Sequence, residues 1–113
     1  MQYIDEGAFY NCNECEYLYL PDSLKIIAKN AFDYCSSLQY IKMGSNLAAI
    51  GFDAFRNCFS LLEIEIDMSS DDFFKNVTVA KSAFFLANSN CIVKFKDKQL
   101  DFKEFLLTLD GLK

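Results

Sequence analysis

The chain has 113 residues and contains neither histidine nor tryptophan. Without histidine, the usual general base at neutral pH and a common zinc ligand are both missing. Any catalysis would fall to carboxylates, lysines or cysteines. Positive charge is also scarce: 11 Lys and Arg stand against 16 Asp and Glu, a formal net charge of −5. A nucleic-acid binder needs a basic stripe to neutralise phosphates, and none is visible. Nucleic acid is therefore not an expected partner, and an anionic membrane surface is disfavoured for the same reason. No apolar run approaches the ~20 residues of a membrane-spanning helix, so no membrane insertion is expected. The opening "MQYIDEGAF" has neither the basic segment nor the apolar stretch of a signal peptide. This leaves two expectations, a chain that stays inside the cell or a trimmed piece of a longer exported one. Asn76-Val77-Thr78 fits a glycosylation acceptor, which has meaning only in an exported eukaryotic protein.

The composition that remains is that of a folding domain, with 52% hydrophobic and 24% charged residues. Its aromatics are uneven, 12 Phe against 6 Tyr, which points to a recurring structural slot. That slot is found by self-comparison. "AFYNC" starts at Ala8, "AFDYC" at Ala31 and "AFRNC" at Ala54, a spacing of 23 residues each time. Four residues before each Ala stands Ile4, Ile27 or Ile50. Seven after it comes Cys15, Leu38 or Leu61, ten after it Leu18, Ile41 or Ile64, and twelve after it Leu20, Met43 or Ile66. A degenerate fourth copy, delayed by six residues, runs through Val79, Ala83, Phe84, Ala87, Asn90, Val93 and Phe95.

The repeat explains a motif that otherwise suggests chemistry. Cys12-Asn13-Glu14-Cys15 has the spacing of a redox dithiol or half a zinc site. Cys12, however, has equivalents in Cys35 and Cys58, while Cys15 shares a slot with Leu38 and Leu61. The two sulfurs thus fill two packing positions as small hydrophobes. Glu14 lies between them, the opposite of the positive setting that activates a thiolate. No metal and no cofactor are expected. Cys35 and Cys58 should be buried and reduced, with Cys12 and Cys15 nearer an open end. Five cysteines cannot all pair within one copy.

The unit I-x-x-x-A-F-x-x-C-x-x-L-x-x-I-x-I resembles the BspA-like (treponemal-type) leucine-rich repeats across residues 4 to 95, and "LPDSLKII" looks like that family's turn and lead-in. The resemblance implies a solenoid, usually surface-exposed or secreted, that binds other proteins and carries no catalytic residue. The fold class expected is a leucine-rich-repeat solenoid, an α/β-type horseshoe segment of about four ~23-residue repeats with a C-terminal helical cap. Repeat units are placed at about 4–26, 27–49, 50–78 and 79–95, with residues 96–113 as the cap.

The second halves of "CEYLYL", "LQYIKM", "LLEIEI" and "NCIVKF" alternate with period two, so each copy should give one strand of a parallel sheet. The AF turns and the "SLKII" and "NLAAI" segments should supply the return connections. Residues 18, 20, 41, 43, 64, 66, 93 and 95 point inward. Phe9, Phe32, Phe55 and Phe84 should stack as an internal ladder. Near the end, Leu100, Phe102, Phe105, Leu106, Leu109 and Leu112 are the apolar positions, and the 102/105/106/109 spacing predicts a helix over 101–110. Asp101 and Glu104 have capping-box spacing, and Asp110-Gly111 reads as a stop. A partner-binding amphipathic helix is the alternative. "DMSSDDFFKN" predicts one helical turn, with Ser69 or Ser70 as N-cap. The first repeat has no such cover, and self-association through this uncapped N-terminal end is expected.

Outward-facing positions make two ladders, Tyr17-Tyr40-Glu63-Ile92 and Tyr19-Lys42-Glu65-Lys94. Tyrosine suits interfaces because it combines large contact area with a polar tip. The ligand-binding candidates are Tyr17, Tyr19, Tyr40, Lys42, Glu63, Glu65 and Lys94; the alternative is that these pairs only stabilise the sheet. The function expected is a non-catalytic interaction module that binds a protein or peptide through the outer face of its sheet. The alternative is a C-terminal capping fragment of a longer, adhesin-like surface protein. For an enzyme, the paired carboxylates on offer are Glu63 and Glu65, ~7 Å apart along one strand. An open sheet face would not shield them from water.

Overall fold

The structure, a computed structural model, describes residues 2–111; Leu112, counted above among the apolar cap positions, lies outside them. Each copy forms one rung, and successive rungs are hydrogen-bonded along three sides. The first side is the sheet foreseen from the sequence: β2 (Tyr17–Tyr19), β4 (Tyr40–Met43), β6 (Glu63–Ile66) and β8 (Ile92–Lys94), all parallel. Leu18, Ile41, Ile64 and Val93 stand in register across it. The last three are fully buried, which is why the strands keep their order: a one-residue slip would turn every apolar side chain outward.

The second side corrects the sequence reading. The "SLKII" and "NLAAI" segments do not merely connect. With their counterparts they form a second parallel sheet from β1 (Tyr3–Ile4), β3 (Ile26–Ile27), β5 (Ala49–Ile50) and β7 (Thr78–Val79). Two-residue strands are too short to show a period, but Ile4, Ile27, Ile50 and Val79 stand in register and are all buried.

The third side is the turn carrying Ala-Phe. Phe9 N–H donates to Ala31 O, Phe32 N–H to Ala54 O and Phe55 N–H to Ala83 O, at 2.7–2.8 Å. The chain bends there through left-handed backbone at Asn30 and Tyr34 (φ 59° and 63°) and at Asp53 and Asn57 (57° and 62°). Asn and Asp accept that conformation more readily than most residues. Ala31, Ala54 and Ala83 are wholly buried, so a larger side chain has no room.

Beneath the turns the Phe rings stack almost parallel, Phe9 on Phe32 at 5.1 Å, Phe32 on Phe55 at 5.3 Å and Phe55 on Phe84 at 5.4 Å. Phe9 is an exception to the internal ladder: it stacks on one face only and remains 45% exposed. The neighbouring Cys slot also bonds between rungs. The Cys35 thiol donates to Phe9 O (3.4 Å) and the Cys58 thiol to Phe32 O (3.5 Å). Burial pushes the Cys35 thiol up to about 11, and Cys58 and Cys91 up to about 12. These are packed, protonated thiols. Cys12 and Cys15 are partly buried, and all five are free.

The six-residue insertion forms a longer helix than the expected single turn, α1 (Ser70–Asn76), with the Ser69 hydroxyl accepting Asp72 N–H at 3.1 Å. Asp97 holds its start: one carboxylate oxygen accepts Ser70 N–H and the other the Ser70 hydroxyl, both at 2.8 Å. The end of the solenoid is closed by a strand absent from the sequence reading, β9 (Gln99–Asp101), antiparallel to β8, and then by α2 (Phe102–Gly111). Asp101 Oδ1 accepts Glu104 N–H at 2.8 Å, so the predicted cap is made one residue before the helix starts. Phe73, Phe95, Phe102, Phe105 and half-buried Phe74 interlock there as an aromatic plug. At the other end Ile4 and Leu20 are buried and Leu18 partly so, which leaves less apolar edge open than the sequence suggested.

Candidate interaction surface

The parity of the strands sets the outer face of the first sheet. Leu18, Ile41, Ile64 and Val93 turn inward, so their neighbours must turn out. Tyr17 and Tyr19 are 59% and 68% exposed, and Lys42 is exposed. Tyr40, Glu63, Glu65, Ile92 and Lys94 are partly covered by one another. All seven ligand-binding candidates therefore lie on one surface, with the tyrosines on β2 and β4 and the charges on β4, β6 and β8.

Two of the three side-chain contacts run diagonally rather than straight across. Tyr17 pairs with Tyr40 and Tyr19 with Lys42 in backbone register, yet the ring in contact with Tyr40 is that of Tyr19, at 5.6 Å and tilted by 57°. Lys42 Nζ lies 3.5 Å from Glu65 Oε2, directly opposite it. Lys94 passes over Glu65, its register partner, and reaches Glu63 Oε1 at 3.1 Å. Tyr40 joins the two halves. Burial, a hydrogen bond to Glu65 and the charges of Glu65 and Glu63 push its phenol up to about 12, so it stays a neutral donor. The face thus presents an aromatic half beside a charge-balanced half in which both carboxylates have a cation.

Three features were missed by the sequence reading. Tyr10, Tyr34 and Phe59 form an exposed ridge along the turns, with edge-to-face ring contacts of 6.3 Å. They come from three different slots of the repeat, so no period marks them. Below the ridge a polar knot centres on Asp33, which accepts from Arg56, Asn30 and Asn57. Between the fourth turn and α2 lies a cleft of about 580 Å³, floored by Phe84, Phe102 and Leu106 and rimmed by Phe85, Lys81 and Lys103. Its walls are distant in sequence, which hid it. Among the described residues no cluster of three or more Cys, Asp or Glu is placed to hold a metal ion, and no helix is long and apolar enough to cross a membrane.

Repeated copies that each lay one short parallel strand on this face, with aliphatic residues pointing in and a variable face pointing out, define a leucine-rich-repeat solenoid. The chain belongs to the BspA-type leucine-rich repeat family: the model of that repeat region, described as six copies, matches residues 2–102. No curated protein and no solved structure shows a significant match.

Proposed function

We propose that this chain is a non-catalytic interaction module that binds a protein or peptide through the outer face of β2, β4, β6 and β8. One observation carries the reading: Tyr17 and Tyr19 hold large rings in solvent beside Tyr40, on a rigid sheet that does not need them for its core. Tyrosines held this way are typical interface anchors, since little side-chain freedom is lost on binding. Lys42, Glu63, Glu65 and Lys94 would then orient the ligand. Their pairing also supports a non-catalytic role, because both glutamates are already neutralised on an open face. The family resemblance favours a surface-exposed or secreted setting.

Selection of peptides from a random display library on the immobilised chain tests this. Peptides recovered by the native chain should lose binding to the Tyr17→Ala, Tyr19→Ala, Tyr40→Ala triple variant, which should still fold. Binding that survives in the triple variant but is lost on changing Tyr34 and Phe59 would move the site to the turn ridge and defeat the proposal.

A second reading, a closing segment of a longer adhesin-like array, is favoured by the asymmetry of the ends. β9 and α2 seal one end, while β1 and β2 are edge strands at the other. Fusing further A-F-x-x-C copies ahead of Tyr3 should then raise the melting temperature; no gain would count against this reading.

A further inference from the structure

β2 is the edge of its sheet, and its hydrogen-bonding groups are half used. One rung on, Tyr40 N–H donates to Glu16 O at 3.2 Å, and Lys42 O accepts Leu20 N–H at 2.9 Å. The same groups one repeat earlier belong to Tyr17 and Tyr19. Parallel pairing alternates, so Leu18 turns its N–H and C=O toward β4 while Tyr17 and Tyr19 turn theirs away. Among the described residues nothing bonds Tyr17 N–H, Tyr19 N–H or Tyr19 O, and Tyr17 O receives only the weak thiol donor of Cys15 at 3.5 Å. Natural edges are usually blunted by lysine, proline or a bulge. Tyr17-Leu18-Tyr19 carries no lysine and no proline.

We infer that β2 pairs with β2 of a second copy of this chain, antiparallel, about a two-fold axis beside Leu18. A two-fold axis makes the paired strands antiparallel and sets Tyr17 opposite Tyr19 of the other copy. Residues opposed in this way exchange both of their N–H···O bonds. The axis makes the two Tyr17–Tyr19 pairs equivalent, and every idle group finds a partner. Glu16 falls opposite Leu20, so no like charges meet at the first flanking positions. The tyrosine faces of the two copies merge into one surface, with cross-strand ring contacts where solvent now lies. A second copy suits this edge because donors and acceptors are both present in mirrored order. The inference uses the main chain of β2, whereas the proposed ligand uses side chains on the same strand.

Sedimentation velocity from about 1 µM to about 1 mM should show a reversible monomer–dimer equilibrium. Over the same range, hydrogen exchange at the Tyr17 and Tyr19 amides should slow with concentration, while the Leu18 amide, already bonded within the copy, should not change. Tyr19→Pro removes a donor that the monomer does not use, at an edge position that tolerates proline. It should weaken the dimer by about tenfold or more and leave the melting of dilute protein within a few degrees. A chain monomeric throughout, Tyr17 and Tyr19 amides indifferent to concentration, or a Tyr19→Pro chain that dimerises like the native one would each overturn the inference. Should Tyr19→Pro fail to fold, the exchange measurement on native protein decides alone. Peptide capture is read on dilute monomer and dimerisation without peptide, so the two readings fail separately.

Discussion

Arg56 reaches back one rung to Asp33. Its Nη2 lies 2.7 Å from Asp33 Oδ2, and its Nε lies within 3.2 Å of both carboxylate oxygens. The carboxylate is fully buried and the guanidinium is about one-third exposed. Asn30 and Asn57 complete the shell, at 2.9 and 3.5 Å. Removing the arginine leaves a buried charge with only amide partners. Arg56→Ala should therefore lower the urea midpoint. Adding Asp33→Asn to that variant should recover part of the loss, because no charge is then stranded. Simple additivity of the two changes would mean that the pair is not coupled.

The Phe ladder should be graded along its length. Phe55 is fully buried between Phe32 and Phe84, and Phe55→Ala should cost about 3–5 kcal/mol. Phe9 touches a ring on one side only and is half in solvent, so Phe9→Ala should cost no more than about 1–2 kcal/mol. Equal losses in urea midpoints would show that rung one is packed like the middle rungs.

The thiols should make the fold sensitive to alkali. A thiol whose pKa is raised on folding keeps its proton where the unfolded chain releases it. The unfolded state then binds fewer protons, and stability falls as pH rises. For Cys58 and Cys91 the window opens near the ordinary thiol value of about 8.5 and closes at about 12. Tyr40 adds to the slope from near 10 upward. Melting temperature should decline steadily above pH ~9. Cys58→Ala should flatten that slope even while lowering stability at neutral pH. At pH 8, a thiol reagent should modify Cys12 and Cys15 well before Cys35, Cys58 and Cys91.

Asp97 should govern the acid side. The Ser70 backbone N–H, then the Ser70 hydroxyl, hold its carboxyl below the usual range. A lowered pKa stabilises the fold above the ordinary value of about 4, and that contribution is lost as pH falls through the lower folded value. Asp97→Asn should flatten the melting curve of stability against pH below ~4. An unchanged acid limb would mean that α1 is not anchored through this charge.

The parts of the fold that show in the sequence are those where one rung imposes the same contact on the next. Ala31, Phe32 and Cys35 recur because their slots are identical in shape, and the outward parity of Tyr17, Tyr40 and Glu63 follows from strand period alone. The second sheet was hidden because Ile26–Ile27 and Ala49–Ile50 are too short to carry a pattern. The Asp33–Arg56 pair was hidden for a different reason: its slot holds Tyr10, Asp33, Arg56 and Phe85 in turn, so repetition erases it. On the outer face, register names the residues directly opposite, but Lys94 is long enough to bypass Glu65 for Glu63. Side-chain reach is not written in spacing.

The insertion that becomes α1 shows how this fold stores length. The step from Ala54 to Ala83 is six residues longer than the earlier ones, yet Phe84 still lies flat on Phe55 at 5.4 Å, and Val79 still meets Ile50. Surplus chain is taken up as a helix at the corner between the two sheets, with Phe73 packed into the end plug, and the stacking axis is unaffected. That corner works as an expansion joint. The loop after β4 occupies the same corner one rung earlier, where the chain runs straight on into β5 with Leu47 buried.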